Sequence, residues 1–461
     1  MNQWLNRDDS DLENLLEQTL NAAVEYLGSL NARPPAAQFK PRELLQLPEN
    51  GLGAQETLEL FLERFGREMP ASNGPRFWGF VTGGTTPAAL MGDWLTSAYD
   101  LNLSSAANST APNIELEALS FLRELFGLPS TFQGVFVSGA TVSNLTGLAI
   151  GREWVGQEQG VSIAGQGLGA VPPLTVFSGE PHSSVYKALA ILGLGRSSLH
   201  PVALLPGNRE AVDVAALENE LNQLHGKPCI VVANAGTVNT VDFDDLQAIA
   251  ELKSHYRFWL HVDAAFGGFA ACSPAARHLL AGMAEADSLT IDAHKWLNVP
   301  YDSAMLFTRH RDLQTAVFQN SAAYLGPLSD PPDFLHLAPE NSRRMRALPA
   351  WFTLLAYGKM GYQTIVEQNC AAARAFGNRV QQADEFQLLA PVRLNVVCFT
   401  LAGDVTAEQI GQFLARLRDD GRVLLTPTVY KGTPGVRAAF SNWRTQLQDV
   451  ETAWQAMMAC L

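Results

Sequence analysis

Charge is scarce in this chain. Asp, Glu, Lys and Arg make up 17% of the 461 residues, against roughly 25% in an ordinary soluble domain. With 47% hydrophobic residues, disorder, collagen-like repeats and coiled coils are excluded. So few charged side chains cannot coat a large monomer in the usual way, and part of the surface is expected to be hidden in an oligomer interface. Basic residues are the scarcer kind: 32 against 46 acidic, a net charge of −14. Nucleic acid and anionic membranes attract basic surface, so neither is an expected partner. A local basic site for a phosphate or an acid stays open.

Cysteine is sparse as well. The five residues Cys229, Cys272, Cys370, Cys398 and Cys460 are odd in number and widely spaced, with no C-x-x-C. Reduced thiols in the cytoplasm are expected, not a disulfide framework or a zinc site. Long apolar runs are missing too. The uncharged stretches 125–151 and 159–179 are broken by Gly, Pro, Ser, Thr, Asn or Gln. Neither is the mainly apolar run of ~20 residues that a spanning helix needs. The start, MNQWLNRDDSDLENLL, is polar and acidic, unlike a secretory signal.

What is present reads as a large α/β protein. At ~150 residues per domain the length suggests about three units. Residues 10–30 carry leucines at helical spacing behind Ser10, an expected N-cap, and a second helix is predicted over 55–68. From about 75 onward short apolar runs alternate with helical stretches. Strands are predicted at 135–139, 174–179, 229–236, 258–266, 288–295 and 303–309, with helices from Thr141, from His182 or Ser183, and over 244–256. That alternation implies a mostly parallel sheet covered by helices on both faces. After 345 the texture changes to long helices at 347–386. An expected small α+β domain follows, with strands at 395–401, 423–428 and 436–440 and a helix at 406–420. The expected organisation is an N-terminal helical segment (1–75), a large domain (76–345) and a small C-terminal domain (346–461).

Five short motifs fall at predicted strand ends, where such sheets bind ligands. In DAHKW (292–296), Lys295 directly follows a strand. Burial there would lower its pKa and make it a usable amine for a Schiff base; the bland alternative is a solvated loop lysine. In HVDAAFGG (261–268), Asp263 ends an apolar strand and needs a partner. One partner is the protonated ring nitrogen of pyridoxal phosphate; a helix cap is the alternative. SGATVSNLTG (138–147) places Gly139, for a tight turn, before Ala140 and Thr141 at a helix N-terminus, a phosphate cradle matching neither the Walker pattern nor G-x-G-x-x-G. In EPHSSVYKA (180–188), His182 could stack on a flat cofactor ring, or merely bond backbone at its helix start. In NAGTVNTVDFDDL (234–246), Thr237 could bond a cofactor substituent, or serve the turn.

Their order along the chain, with PHSSVYKA, HVDAAFGG and DAHKW together, resembles the pyridoxal-phosphate-dependent group II amino acid decarboxylases. The similarity runs from RFWGFVTGG (76–84) through NSRRMRALPAWF (341–352) and more weakly to VRAAFSNWRT (436–445). The resemblance implies a fold-type I transferase fold: a mostly parallel seven-stranded sheet, a smaller C-terminal α+β domain, and a homodimer with active sites at the interface. It implies that Lys295 holds the cofactor as a Schiff base and that Asp263 pairs with the pyridinium nitrogen. His182 would stack on the ring and approach the substrate carboxylate. Ala140 and Thr141 would bind phosphate with His294 nearby, and Thr237, Ala265 and Asp292 would line the cofactor. Family members commonly carry Asn where this chain has Asp292.

The implied activity is decarboxylation of an amino acid through a ring-stabilised carbanion, the bond to be broken standing perpendicular to the ring. One departure bears on the outcome. The family usually supplies the quenching proton from a tyrosine on a mobile loop, and the matching segment 326–342 has none. Counting back from Arg343 puts Phe334 near that place, which in the family goes with aldehyde formation by oxidative deamination; His336 or Tyr324 could donate instead. Arg437 and Arg444 could anchor a carboxylate, as in an aminotransferase or lyase of the same fold. Segments 76–87 and 101–112 are expected around the substrate, the latter from a partner subunit. Trp78 and Phe80 could hold an apolar side chain or belong to the core, while the Ser, Thr and Asn run suits a small polar substrate.

Overall fold

The computed structural model describes residues 3–37, 41–103, 109–320 and 328–461. The apolar runs form one large sheet: β1 (Gln133–Val137), β2 (Val176–Ser178), β3 (Leu199–Pro201), β4 (Cys229–Asn234), β5 (Phe258–Asp263), β6 (Ser288–Ile291) and β7 (Ala304–Thr308). In space the seven strands lie in the order β1-β7-β6-β5-β4-β2-β3. Strands β2 to β6 run parallel, and β7 alone is antiparallel to its neighbours β1 and β6. Every strand except β7 therefore points its carboxyl end at the same rim. Strands β4 to β7 are buried at every residue. Their near-continuous apolar sequences are what a sheet covered on both faces requires.

The helix Ala140–Gln157 lies across β5, β6 and β7. It comes close because Gly147 has no side chain: a Cβ there would stand 2.6 Å from His261 Cε1. A second, antiparallel sheet consists of β8 (Phe386–Leu388), β9 (Val396–Leu401), β10 (Thr426–Tyr430) and β11 (Thr433–Ala439), in the order β10-β11-β9-β8. The fold is thus α/β of fold type I with a smaller second sheet. Trp78 joins the core of that second sheet, 4.4 Å from Phe440 and 5.8 Å from Phe376 between ring centroids. Its backbone bonds Leu424 and Ala439, tying the segment before the large sheet to the small one.

Several boundaries differ from expectation for identifiable reasons. Ser10 ends a first helix, Gln3–Ser10, where its hydroxyl donates back to the Arg7 carbonyl, and a second helix, Leu12–Gly28, starts after Asp11. The strand expected at 423–428 begins only at Thr426, because the Leu424 backbone is engaged with Arg76 and Trp78. The expected helical run 347–386 is Ala347–Gln382, broken at Gly358, whose φ of 58° leaves the helical region. All five cysteines are buried and unbridged. Among the described residues no helix is long and apolar enough to cross a membrane.

Gly147 gives a direct test of the helix placement. His261 is fully buried and hydrogen-bonded through both ring nitrogens, so it cannot yield to a new methyl group. Gly147→Ala should cost about 1–3 kcal/mol of overpacking, read as a lower urea midpoint at unchanged m-value.

Candidate functional site

The common rim decides which residues can meet. β1 leads into the helix start at Ala140, β2 into His182, β4 into Thr237, β5 ends at Asp263, and β6 runs into the turn that carries Lys295. A cleft of about 720 Å³ opens over this rim, and Ala140, Thr141, His182, Thr237, Asp263, Ala265, Asp292, His294 and Lys295 all line it.

Lys295 sits in a π-helical turn, Ala293–Leu297. That turn is pressed by the 76–84 segment: the Gly83 amide donates to the His294 carbonyl at 3.1 Å. A Cβ on Gly83 would fall 1.8 Å from the Lys295 carbonyl oxygen, so only glycine fits. The Lys295 ammonium lies 3.8 Å from Asp292 Oδ2 and 5.5 Å from the Phe266 ring centre. Asp292 Oδ2 also accepts the Ala140 amide at 3.3 Å. Its Oδ1 is 2.8 Å from His294 Nδ1, close enough for an ion pair but out of line for a hydrogen bond. The His294 ring lies on Tyr301 at 4.2 Å. Burial, with Asp292 adding to it, pushes the Tyr301 phenol up to about 12.

Asp263 is buried at the floor. Its Oδ1 accepts the Ala265 amide at 3.1 Å and its Oδ2 the Asn144 side-chain amide at 2.8 Å. Two bonds leave lone pairs on both oxygens. His182 caps the helix Ser183–Ile191: its Nδ1 accepts the Ser184 amide at 3.2 Å and lies 2.7 Å from Ser184 Oγ. Burial lowers its pKa, with the Lys295 and Arg437 cations acting the same way and Asp263 opposing.

Other expectations are redirected. Thr237 lines the cleft, but its hydroxyl donates to Glu210 Oε2 at 2.5 Å and accepts the Asp242 amide at 2.9 Å, so its proton points into the wall. Gly139 has a φ of 175°, an extended backbone open to any residue, so the tight turn expected there is absent. Of the two arginines, Arg437 reaches the cleft, donating to the Val238 and Gly79 carbonyls. Arg444 instead stacks on Trp443 at 4.3 Å. Trp78 is core, while Phe80 is 55% exposed and tilted against Phe77 at 6.2 Å on the cleft wall. Phe334 is buried beside Arg343, and His336 spends Nδ1 on the Asn320 amide. Tyr324, residues 326–327 and residues 104–108 of the 101–112 segment lie outside the described residues.

Asn144 and Tyr301 were not singled out from sequence. Asn144 lies within the phosphate motif, four residues after Ala140, a spacing that puts it on the same helix face, and that was the available signal. Tyr301 had none, because its place depends on the turn after Lys295.

A phosphorylated pyridine aldehyde suits these groups. The Thr141 amide and hydroxyl stand at the N-terminus of an 18-residue helix, where a phosphate is favoured. The buried Asp263 has room for one more N–H, and Lys295 offers the amine. Fold and rim together define the class, a fold-type I enzyme of the pyridoxal phosphate kind. Comparison with known proteins supplies the family. Residues 46–402 match the pyridoxal-dependent decarboxylase conserved domain, and the chain belongs to that family of pyridoxal-phosphate-dependent carboxy-lyases. It is 26% identical to the aromatic-L-amino-acid decarboxylase of Bacillus atrophaeus, over 98% of this chain and 95% of that one. Among solved structures, Oryza sativa TDC with PLP and tryptamine superposes with a TM-score of 0.90 at 23% identity, covering 98% and 97% of the two chains. Rhodiola rosea 4-hydroxyphenylacetaldehyde synthase does so with 0.87 at 19% identity, covering 98% of each.

The floor of the site carries a pH signature. Burial lowers the pKa of His261 from 6.5 to about 4. Between those values the unfolded chain binds a proton that the folded chain excludes, so stability rises with pH there. The contribution is full above pH 6.5 and lost as pH falls to about 4. At ~1.36 kcal/mol per unit this is about 3 kcal/mol. The stability gap between wild type and His261→Gln, read by urea denaturation, should narrow by that order from pH 7 to pH 4.

Proposed function

We propose that the protein decarboxylates an amino acid with an aromatic or apolar side chain, using pyridoxal phosphate held on Lys295. The observation that carries this reading is the buried Asp263 carboxylate, without an ion pair among the described residues, opening on the same cleft as the Lys295 amine and the Thr141 anion cradle. When bound, the cofactor supplies the electron sink for bond cleavage. The chain's own groups do the rest. Asp263 holds a proton on the ring nitrogen by charge. Thr141 and His294 hold the phosphate, with Ala140 beside them, and Ala265 and Asp292 line the cofactor. His182 keeps its Nδ1 on Ser184 and turns Nε2–H to the cleft, a donor for the substrate carboxylate. Arg437, with its Nε unpartnered, offers that carboxylate a cation. Phe77 and Phe80 give the wall against which an apolar side chain packs.

A second reading, decarboxylation with oxidative deamination to an aldehyde, draws on Phe334. It lies near the place counted for the family's tyrosine and is buried under Arg343. An amino acid panel run in air distinguishes the two: carbon dioxide and amine for the first; carbon dioxide, aldehyde, ammonia and peroxide, with dioxygen and water consumed, for the second. A transaminase would instead convert a ketoacid.

Lys295→Ala should abolish the cofactor's Schiff-base absorbance and all turnover with the fold intact. Asp263→Asn should keep cofactor but lose most turnover. Full activity in either variant, measured by carbon dioxide release, would contradict the assignment.

The working unit proposed is a homodimer. Leu12, Leu16, Leu20 and Val24 form a stripe at four-residue spacing, 44–59% exposed, on a helix with no buried residue. Such a stripe fits a second copy. Light scattering should report about twice the chain mass, and Leu16→Glu with Leu20→Glu should shift it toward monomer.

A further inference from the structure

Beneath the cleft runs a chain of hydrogen bonds whose direction can be worked out atom by atom. Asp263 Oδ2 is a carboxylate oxygen and only accepts, so the Asn144 group 2.8 Å away must be its NH2. The same nitrogen lies 3.0 Å from Ser184 Oγ. Asn144 Oδ1 then faces His261 Nε2 at 2.9 Å, and an amide oxygen there requires that Nε2 carry the proton. Neutral His261 is left with a bare Nδ1, 2.7 Å from Ser288 Oγ, which must donate to it. Ser288 Oγ in turn accepts the Trp259 indole N–H at 3.0 Å. On the other side, Ser184 Oγ has accepted from Asn144, so its own proton goes to His182 Nδ1 at 2.7 Å. The Ser184 amide reinforces that choice at 3.2 Å.

The geometry points to Asn144 as the positioning residue that locks the two functional groups of the floor into one unit. It directs one amide hydrogen to Asp263, the other through Ser184 to His182, and takes its own orientation from His261. The acceptor-only Asp263 carboxylate sets the sense of the series, and at its far end the Trp259 indole N–H occupies one lone pair of Ser288 Oγ, whose own proton goes to His261. Thr290 Oγ1, at 3.5 Å from His261 Nε2, is too distant to compete with the amide oxygen. The consequence is that the tautomer of His182 and the rotamer of Asp263 are set together. Asp263 cannot rotate its carboxylate without breaking a bond that also orients the histidine. Second-layer partners of this kind commonly orient the groups that touch a cofactor. The inference rests on the proposed cofactor reading for its functional meaning, but not for its test.

Neutron diffraction of the deuterium-exchanged protein reads the series directly. Deuterium is expected on Nε2 of both His261 and His182, with both Nδ1 atoms bare. A deuterium on His261 Nδ1, or an Asn144 amide turned with its oxygen toward Asp263, would overturn the inference whatever the enzyme's reaction. The variant Asn144→Ser removes both amide hydrogens. Pyridoxal phosphate titrated into the cofactor-free variant should bind roughly tenfold more weakly, the worth of one hydrogen bond to a charged group. Ser184→Ala, whose main-chain bond to His182 survives, should show a smaller loss. Unchanged affinity in a folded Asn144→Ser protein would refute the role. Failure of the wild type to bind pyridoxal phosphate, with the deuterium pattern intact, would overturn the functional reading alone.

Discussion

A negative charge at the bottom of a dry sheet is the constraint on which the site depends. Strand β5 is buried along its whole length, and the Asp263 carboxylate at its end is only 6% exposed, where the cleft opens. Leaving an ion there uncompensated costs several kcal/mol, and two N–H donors offset only part of that. The remaining attraction is directed at whatever enters the cleft carrying a positive N–H. A pyridinium ring bound as proposed would meet this carboxylate at its nitrogen and the helix start at Thr141 with its phosphate, two features fixed by the backbone scaffold. Neither has to reorganise when the ring arrives.

The topology converts this local arrangement into a site. Because β7 alone runs backward, five loops of widely different sequence position emerge on one rim. The second sheet closes the cleft through Arg437 on β11, and Trp78 fastens the intervening segment to that sheet. Gly83 lets the same segment lie against the Lys295 turn.

Much of this was legible in the linear chain. The runs CIVVAN, FWLHVD and AMLFT announce buried strands without any partner being known, and the polar residues that end them stand out against so little charge. The short strands β3 and β8 were not legible: each buries only its first residue fully and stands in no apolar run, whereas the equally short β2 is buried throughout and sits in one. Asn144 read as one more polar residue in a helix that also holds Ser143 and Thr146; its helix face was a weak signal, and its contacts with β5 are what distinguish it. Thr237 illustrates the reverse: its position at a strand end suggested a cofactor contact, while the buried Glu210 claims its hydroxyl proton.

By itself the sequence determined the class of sheet, the rim on which chemistry would sit and the residues able to perform it. These follow from apolar periodicity and from the rarity of ionisable groups at strand ends, both local properties. Tertiary structure alone decided which way each group faces: Arg437 into the cleft and Arg444 onto Trp443, Phe80 outward and Trp78 into the core, Phe334 under Arg343. Those choices depend on packing between segments hundreds of residues apart, where burial and the satisfaction of each hydrogen bond are settled jointly and no window of sequence contains both partners.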